Sequence, residues 1–310
     1  MPINIPSSLP AASTLENENI FVMTQSRAIK QDIRPLRILL LNLMPKKIET
    51  ETQILRLLSN SPIQINIELL QTKNHISKNT SKEHMIKFYK TIDQIQNQRF
   101  DGMIVTGAPV EKIKFEHVDY WNELCKIFDW AKLNVYSTLN ICWGAIANLY
   151  YNYGINPHIL KDKIFGIFPH NILDNSHTLL RGFDEIFWVP HSRYFDLDAK
   201  EINNNKNLKI LTSSPISGIH IVADKNCRDF FITGHSEYDR DTLANEYKRD
   251  LNNNNNKISI PYAYFQNDDP NSAPVFNWRC HANMLFSNWL NYIVYQNTPY
   301  NLNDLDFMKR

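Results

Sequence analysis

The sequence predicts an α/β fold: a mainly parallel sheet with helices on both faces and a β-rich C-terminal half. Three observations carry this expectation. Short, nearly continuous apolar runs such as Leu36-Arg37-Ile38-Leu39-Leu40-Leu41-Asn42-Leu43 and Gly102-Met103-Ile104-Val105-Thr106 are what strands buried on both faces show. Amphipathic helical stretches alternate with these runs, as right-handed βαβ units require. Finally, the stretch NVYSTLNICWGAIANLYYNYG (134–154) passes from buried strand to helix through a sharp turn at Cys142.

Taken in order, residues 1–35 are polar and proline-punctuated, and read as an arm over a single domain spanning 36–297. The first strand, from Leu36, is stopped by Pro45, and a helix is expected over Lys47 to Asn60. Ile63 to Leu70 alternates apolar with polar as a strand. Ser81 to Gln98 has one helical stripe (Met85, Phe88, Ile92, Ile95) with Ser81 as N-cap. His117 to Trp130 reads as the next helix. Beyond residue 160 short strands are expected at Ile164 to Pro169, Phe187 to Pro190, Leu208 to Leu211, Gly218 to Ala223 and Asp229 to Thr233. A helix from Asp239 to about Asp250, a loop over 257–277 and an aromatic helix over Trp278 to Gln296 follow, with 298–310 as a polar tail.

Composition narrows the function classes. The 310 residues are 43% hydrophobic and 21% charged, ordinary for a globular protein. A formal net charge of +1 gives no electrostatic reason to expect nucleic acid or an anionic membrane as partner. The N-terminal stretch lacks the charged and apolar regions of a signal peptide, and no apolar run is long enough to span a bilayer. Four cysteines without a CxxC pair suit a reducing, cytoplasmic setting.

Cys142 is the leading candidate for chemistry. At a strand-to-helix turn, the unpaired N–H groups and positive dipole end of the helix lie beside the sulfur, which lowers a thiol pKa and supplies donors for an oxyanion. The plain alternative is a small buried core residue. His235 and Glu237 stand two apart after a strand, so a strand running through both puts them on one side. A carboxylate there fixes the imidazole tautomer, and the plain alternative is a loop histidine near a capping acid. The HxE spacing lacks the PCxxC partner of zinc deaminases, and no HExxH is present, so no metal is expected.

Cys125 falls on a core stripe, Cys227 in a charged turn, and Cys280 beside but not facing His281. Lys46 and Lys47 fit either solvated helix-start charges or contacts to the phosphates of a nucleotide-bearing donor. Arg193 and Arg249 fit either surface ion pairs or a clamp on a substrate carboxylate.

With those residues in view, the chain resembles the homoserine O-acyltransferases that open methionine biosynthesis. The likeness runs from FVMTQSRA and LLLNLMPKKIETETQILRLLSNSP through VTGAP, PHSRY and GHSEYD to FSNWLNYIVYQNTPY. It implies a flavodoxin-like fold akin to class I glutamine amidotransferases, and a homodimer. It also implies a ping-pong reaction in which Cys142 takes an acyl group from acyl-CoA and L-homoserine removes it, with no further cofactor. His235 is then the general base, Glu237 its orienter, and Lys163, Ser192 and Arg249 the homoserine-binding residues. In this family a glycine after GAPV goes with succinyl donors and a glutamate with acetyl donors. Glu111 stands there, so acetyl-CoA is expected and a succinyl donor is the nearest rival. A glutaminase and a non-catalytic binding protein are the more distant readings.

Overall fold

The computed structural model describes residues 3–6, 8–17, 23–24, 34–73, 79–253 and 258–305. Among the described residues its centre is one twelve-stranded sheet. The strands are β1 (Ile3–Ile5), β2 (Met23–Thr24), β3 (Leu36–Leu41), β4 (Ile65–Leu70), β5 (Tyr89–Lys90), β6 (Phe100–Val105), β7 (Val135–Ile141), β8 (His158–Ile172), β9 (Ile186–Asp196), β10 (Leu208–Ser214), β11 (Gly218–Asp224) and β12 (Asp229–Ile232). Their order is β2-β1-β4-β3-β6-β7-β12-β11-β10-β8-β9, with β5 also paired to β4. Every pairing from β2 to β12 is parallel, and every pairing from β12 to β9 is antiparallel.

The parallel half is what the apolar runs predict. All six residues of β6 are buried, as are five of the six in β3. Four helices connect and cover it: α2 (Lys47–Ser59), α3 (Lys82–Phe88), α5 (Trp121–Asn134) and α6 (Trp143–Tyr153), with a short α4 (Ile92–Ile95) between α3 and α5; α1 (Pro10–Asn17) precedes β2. The C-terminal half adds α7 (Ala199–Asn204), α8 (Thr242–Asn252) and α9 (Arg279–Asn288), which continues as a π-helix over Trp289–Tyr295. Trp289, fully buried, lies against Gly102 of β6, where an added Cβ would sit 2.7 Å from the indole.

Three expectations change. The helix over Ser81 to Gln98 is two helices, because Tyr89 and Lys90 pair with Leu69 and Leu70 of β4. Ser81 caps the first helix and Thr91 opens the second with a capping box to Gln94. The N-terminal arm is part of the sheet where it is described, since β1 pairs with β4 and β2 extends the edge. Of the arm's apolar patch expected at Ile20 to Met23, residues 20–22 lie outside the described residues and Met23 begins β2. Within the 257–277 loop, Tyr262 exchanges backbone hydrogen bonds with Phe165 and Ile167 on β8. A side chain on Gly166 (φ +136°) would collide with the Tyr262 backbone.

Candidate active site

Four strand ends meet at one edge of the parallel half, where crevices form in such sheets. After β3 come Met44 and Pro45, after β6 Gly107 to Glu111, after β7 Cys142, and after β12 the turn of His235; residues from all four line one cavity of ≈ 300 Å³. Cys142 occupies the β7–α6 elbow with φ 50° and ψ −116°, a backbone region costly for a residue bearing a Cβ. Surrounding bonds hold it there. Its N–H donates to Ile232 O (2.7 Å), and its carbonyl accepts from the N–H groups of Ala145 and Ile146. Gly144 lets the helix start this close, since a Cβ would lie 2.6 Å from Thr106 O.

His235 is not on a strand. β12 ends at Ile232, and the imidazole is set by a turn in which His235 N–H donates to Pro190 O (2.8 Å) and Tyr238 N–H donates to His235 O (3.2 Å). The turn still brings Glu237 round, and His235 Nδ1 meets Glu237 Oε1 at 2.6 Å. Nε2 is then left free of Glu237, and the imidazole and the thiol lie close enough for each to shift the other's pKa. Burial works against the charged form of His235, but the sulfur and the carboxylate on either side lift its pKa well above the ordinary imidazole range. Burial likewise pushes the Cys142 thiol up, against the pull of His235. Ionising the thiol therefore depends on the imidazole.

Glu111 reaches the nucleophile directly. Its Oε1 lies 3.6 Å from Cys142 Sγ, and its Oε2 accepts from Tyr194 N–H (2.9 Å). Burial raises its pKa, opposed by the Tyr194 N–H and by His235. Lys163, Ser192 and Arg249 line the same cavity, from β8, β9 and α8 respectively. They are joined by residues that the sequence reading passed over. Glu246 accepts from Ser192 Oγ (2.5 Å), Lys163 Nζ (3.2 Å) and the Tyr238 hydroxyl (2.9 Å), and Asp250 binds Lys163 and Arg249. A signal existed: Glu246, Arg249 and Asp250 are spaced to share one helical face.

At the start of α2, Lys47 is a correction. Lys47 is buried, with Nζ donating to Asn42 O (2.6 Å), and burial lowers its pKa to about 8. It points into the protein and not at a donor phosphate. Lys46 is exposed and pairs with Glu49, outside the cavity lining. Arg193 is also no substrate clamp. It is fully buried, and its guanidinium donates to the carbonyls of Phe195 and Ser217.

A second histidine group invites a metal reading. Potential ligand atoms of His170, His191 and His220 lie within 4.8 Å of one another, all buried. The hydrogen bonds point elsewhere. Arg193 Nε–H donates to His191 Nδ1, so His191 carries its proton on Nε2. His170 Nδ1 faces Phe168 O (2.9 Å) and must donate there, which leaves its Nε2 as acceptor for His191 Nε2–H at 3.1 Å. The His191 lone pair a cation would need is therefore already taken by Arg193.

Comparisons with known proteins bear on the chain's family and fold. The model of the homoserine O-succinyltransferase family matches residues 2–300. A homoserine O-acetyltransferase of Acetivibrio thermocellus is 57% identical over 98% of this chain and 100% of its own length. One of Clostridium tetani is 59% identical, over 97% of this chain and 98% of its own. Among solved structures, a glutamine amidotransferase from Thermotoga maritima superposes with a TM-score of 0.55 at 13% identity, covering 84% of this chain and 98% of that one. That likeness shows the shared class I amidotransferase-like fold. From its sequence over almost its whole length, the chain belongs to the homoserine O-succinyltransferase family.

Proposed function

We propose that this protein is a homoserine O-acetyltransferase of methionine biosynthesis, working through a Cys142 thioester. The observation that carries the reading is the Cys142–His235–Glu237 set, with Glu111 touching the sulfur in a cavity also lined by Lys163, Ser192 and Arg249. Relatives that match the chain end to end bear the same activity in their names.

In the first half-reaction the Cys142 proton passes to His235 Nε2 and the sulfur attacks the acetyl carbonyl of acetyl-CoA. The oxyanion takes hydrogen bonds from the Trp143 N–H and an N–H of the Gly107 loop, which packs so closely that a Cβ added to Gly107 would lie 3.2 Å from Cys142 Cβ. The C–S bond to CoA breaks and His235 protonates the departing sulfur. In the second half-reaction neutral His235 takes the homoserine hydroxyl proton, the oxygen attacks the thioester, and Cys142 leaves with that proton. Glu237 holds the imidazole tautomer throughout. Lys163, Ser192 and Arg249 hold homoserine, with guanidinium geometry suited to its carboxylate.

Glu111 favours the acetyl donor on physical grounds. A carboxylate 3.6 Å from the nucleophile occupies space and, when ionised, repels the terminal carboxylate of a succinyl group. Incubation with homoserine and either acetyl-CoA or succinyl-CoA, following free CoA thiol, tests this. Preference for succinyl-CoA overturns the donor assignment, and release of ammonia from glutamine would favour an amidotransferase. The same reading makes the protein a cytoplasmic homodimer, which analytical ultracentrifugation tests.

A further inference from the structure

Tyr238 belongs neither to the nucleophile's set nor to the homoserine-binding residues, yet it touches both. Its ring lies flat on the His235 imidazole, with centroids 4.1 Å apart and planes 16° from parallel. Its hydroxyl donates to Glu246 Oε1 at 2.9 Å, while Glu246 Oε2 gathers Ser192 and Lys163. Little freedom is left to the residue. Tyr238 is buried, its N–H closes the His235 turn, and its carbonyl accepts the Trp278 indole N–H at 3.1 Å.

We propose that Tyr238 is a positioning residue with two separable parts, a ring that aligns the general base and a hydroxyl that sets the carboxylate gathering Ser192 and Lys163. The proposal rests on the acyltransferase reading above. A stacked ring blocks rotation of the imidazole away from Glu237 and Cys142, and its π face favours the imidazolium. The hydroxyl fixes which Glu246 oxygen faces Ser192 and Lys163. A single side chain thus joins the centre that makes the thioester to the site that receives its acyl group.

The test compares wild type, Tyr238→Phe and Tyr238→Leu in each half-reaction. Acylation is read as acetyl transfer from acetyl-CoA to Cys142 without homoserine, and acceptor binding as KM for homoserine in full turnover. Tyr238→Phe keeps the ring, so acylation should stay within about twofold while KM rises roughly tenfold, the loss of one hydrogen bond to a charged group. Tyr238→Leu should also slow acylation by about tenfold or more, as one aromatic contact and its cation–π share are lost. It should move the pH profile of Cys142 alkylation by iodoacetamide upward, because the imidazolium partner is weakened.

A merely structural residue would lower both half-reactions together and leave that profile unmoved. Equal slowing of acylation by the two variants, or an unchanged homoserine KM in Tyr238→Phe, overturns the proposal. If wild type takes no acetyl group, the acyltransferase reading fails on its own. The iodoacetamide profile still decides the ring's role: a shift confined to Tyr238→Leu supports it, and no shift refutes it.

Discussion

His235 and the trio His170, His191 and His220 are all buried, yet they sit in opposite electrostatic states. His235 hangs from a turn at the end of the parallel half, between a thiol and a carboxylate, and its pKa is lifted well above the ordinary range. The trio lies in the antiparallel half, on β8, β9 and β11, among themselves and Arg193. Burial pushes all three down, His170 to about 3. Depth is the same and partners differ. A buried imidazole can take up a proton in catalysis only where acidic neighbours offset desolvation, and only one of these four has them.

The largest expected effect removes the sulfur on which His235 depends. Cys142→Ala should lose at least about 10⁴-fold in turnover with an unchanged circular dichroism spectrum. Next is Glu237→Gln, which makes His235 resemble the trio by taking away its carboxylate. Turnover should fall by about 10³-fold, and Cys142 should need higher pH for iodoacetamide alkylation. Because the folded pKa of His235 is raised, its stabilising charge is fully present below about pH 6.5 and is lost as pH rises through the raised value. The melting-temperature gap between wild type and Glu237→Gln should accordingly be wider at pH 6 than at high pH. A gap that is constant with pH would count against the coupling.

Glu111→Gly leaves the histidines alone and alters the acyl pocket. Donor preference should shift toward succinyl-CoA by roughly 10- to 100-fold in kcat/KM, the scale of one pocket contact. The smallest effect probes the trio. Both His220 ring nitrogens are buried without a hydrogen-bond partner among the described residues. His220→Phe should therefore stabilise the fold by about 1–3 kcal/mol while turnover stays put. The trio's folded pKa values are lowered, so the unfolded chain takes up protons as pH drops below about 6.5 while the folded chain refuses them. The gain from His220→Phe should grow toward acid, and denaturant melts at pH 7 and pH 5 would show it.

Much of the frame was legible because buried strands and amphipathic helices write themselves into local apolar pattern. The β7–α6 elbow could be read to the residue, since Cys142 follows an apolar run and precedes Trp143-Gly144-Ala145. What depended on tertiary pairing was not. Nothing local marks Tyr89 and Lys90 as a strand until β4 is there to pair with them. His235 and Glu237 were matched for a strand-side reason, whereas the turn held by Pro190 O brings them together. Lys47 at a helix start fitted a solvated charge or a phosphate contact; the carbonyl of Asn42 that draws it inward is a tertiary fact. Glu246 joins groups from β8, β9 and the His235 turn, a convergence no single stretch can display.

The most direct test of the account is the mass of the intact protein after acetyl-CoA is added without homoserine. One acetyl group is expected, mapped by proteolysis to Cys142, absent in Cys142→Ala and discharged on adding homoserine with formation of its O-acetyl ester. An acetyl group found elsewhere, or product formed at wild-type rate with no adduct on Cys142, would contradict it.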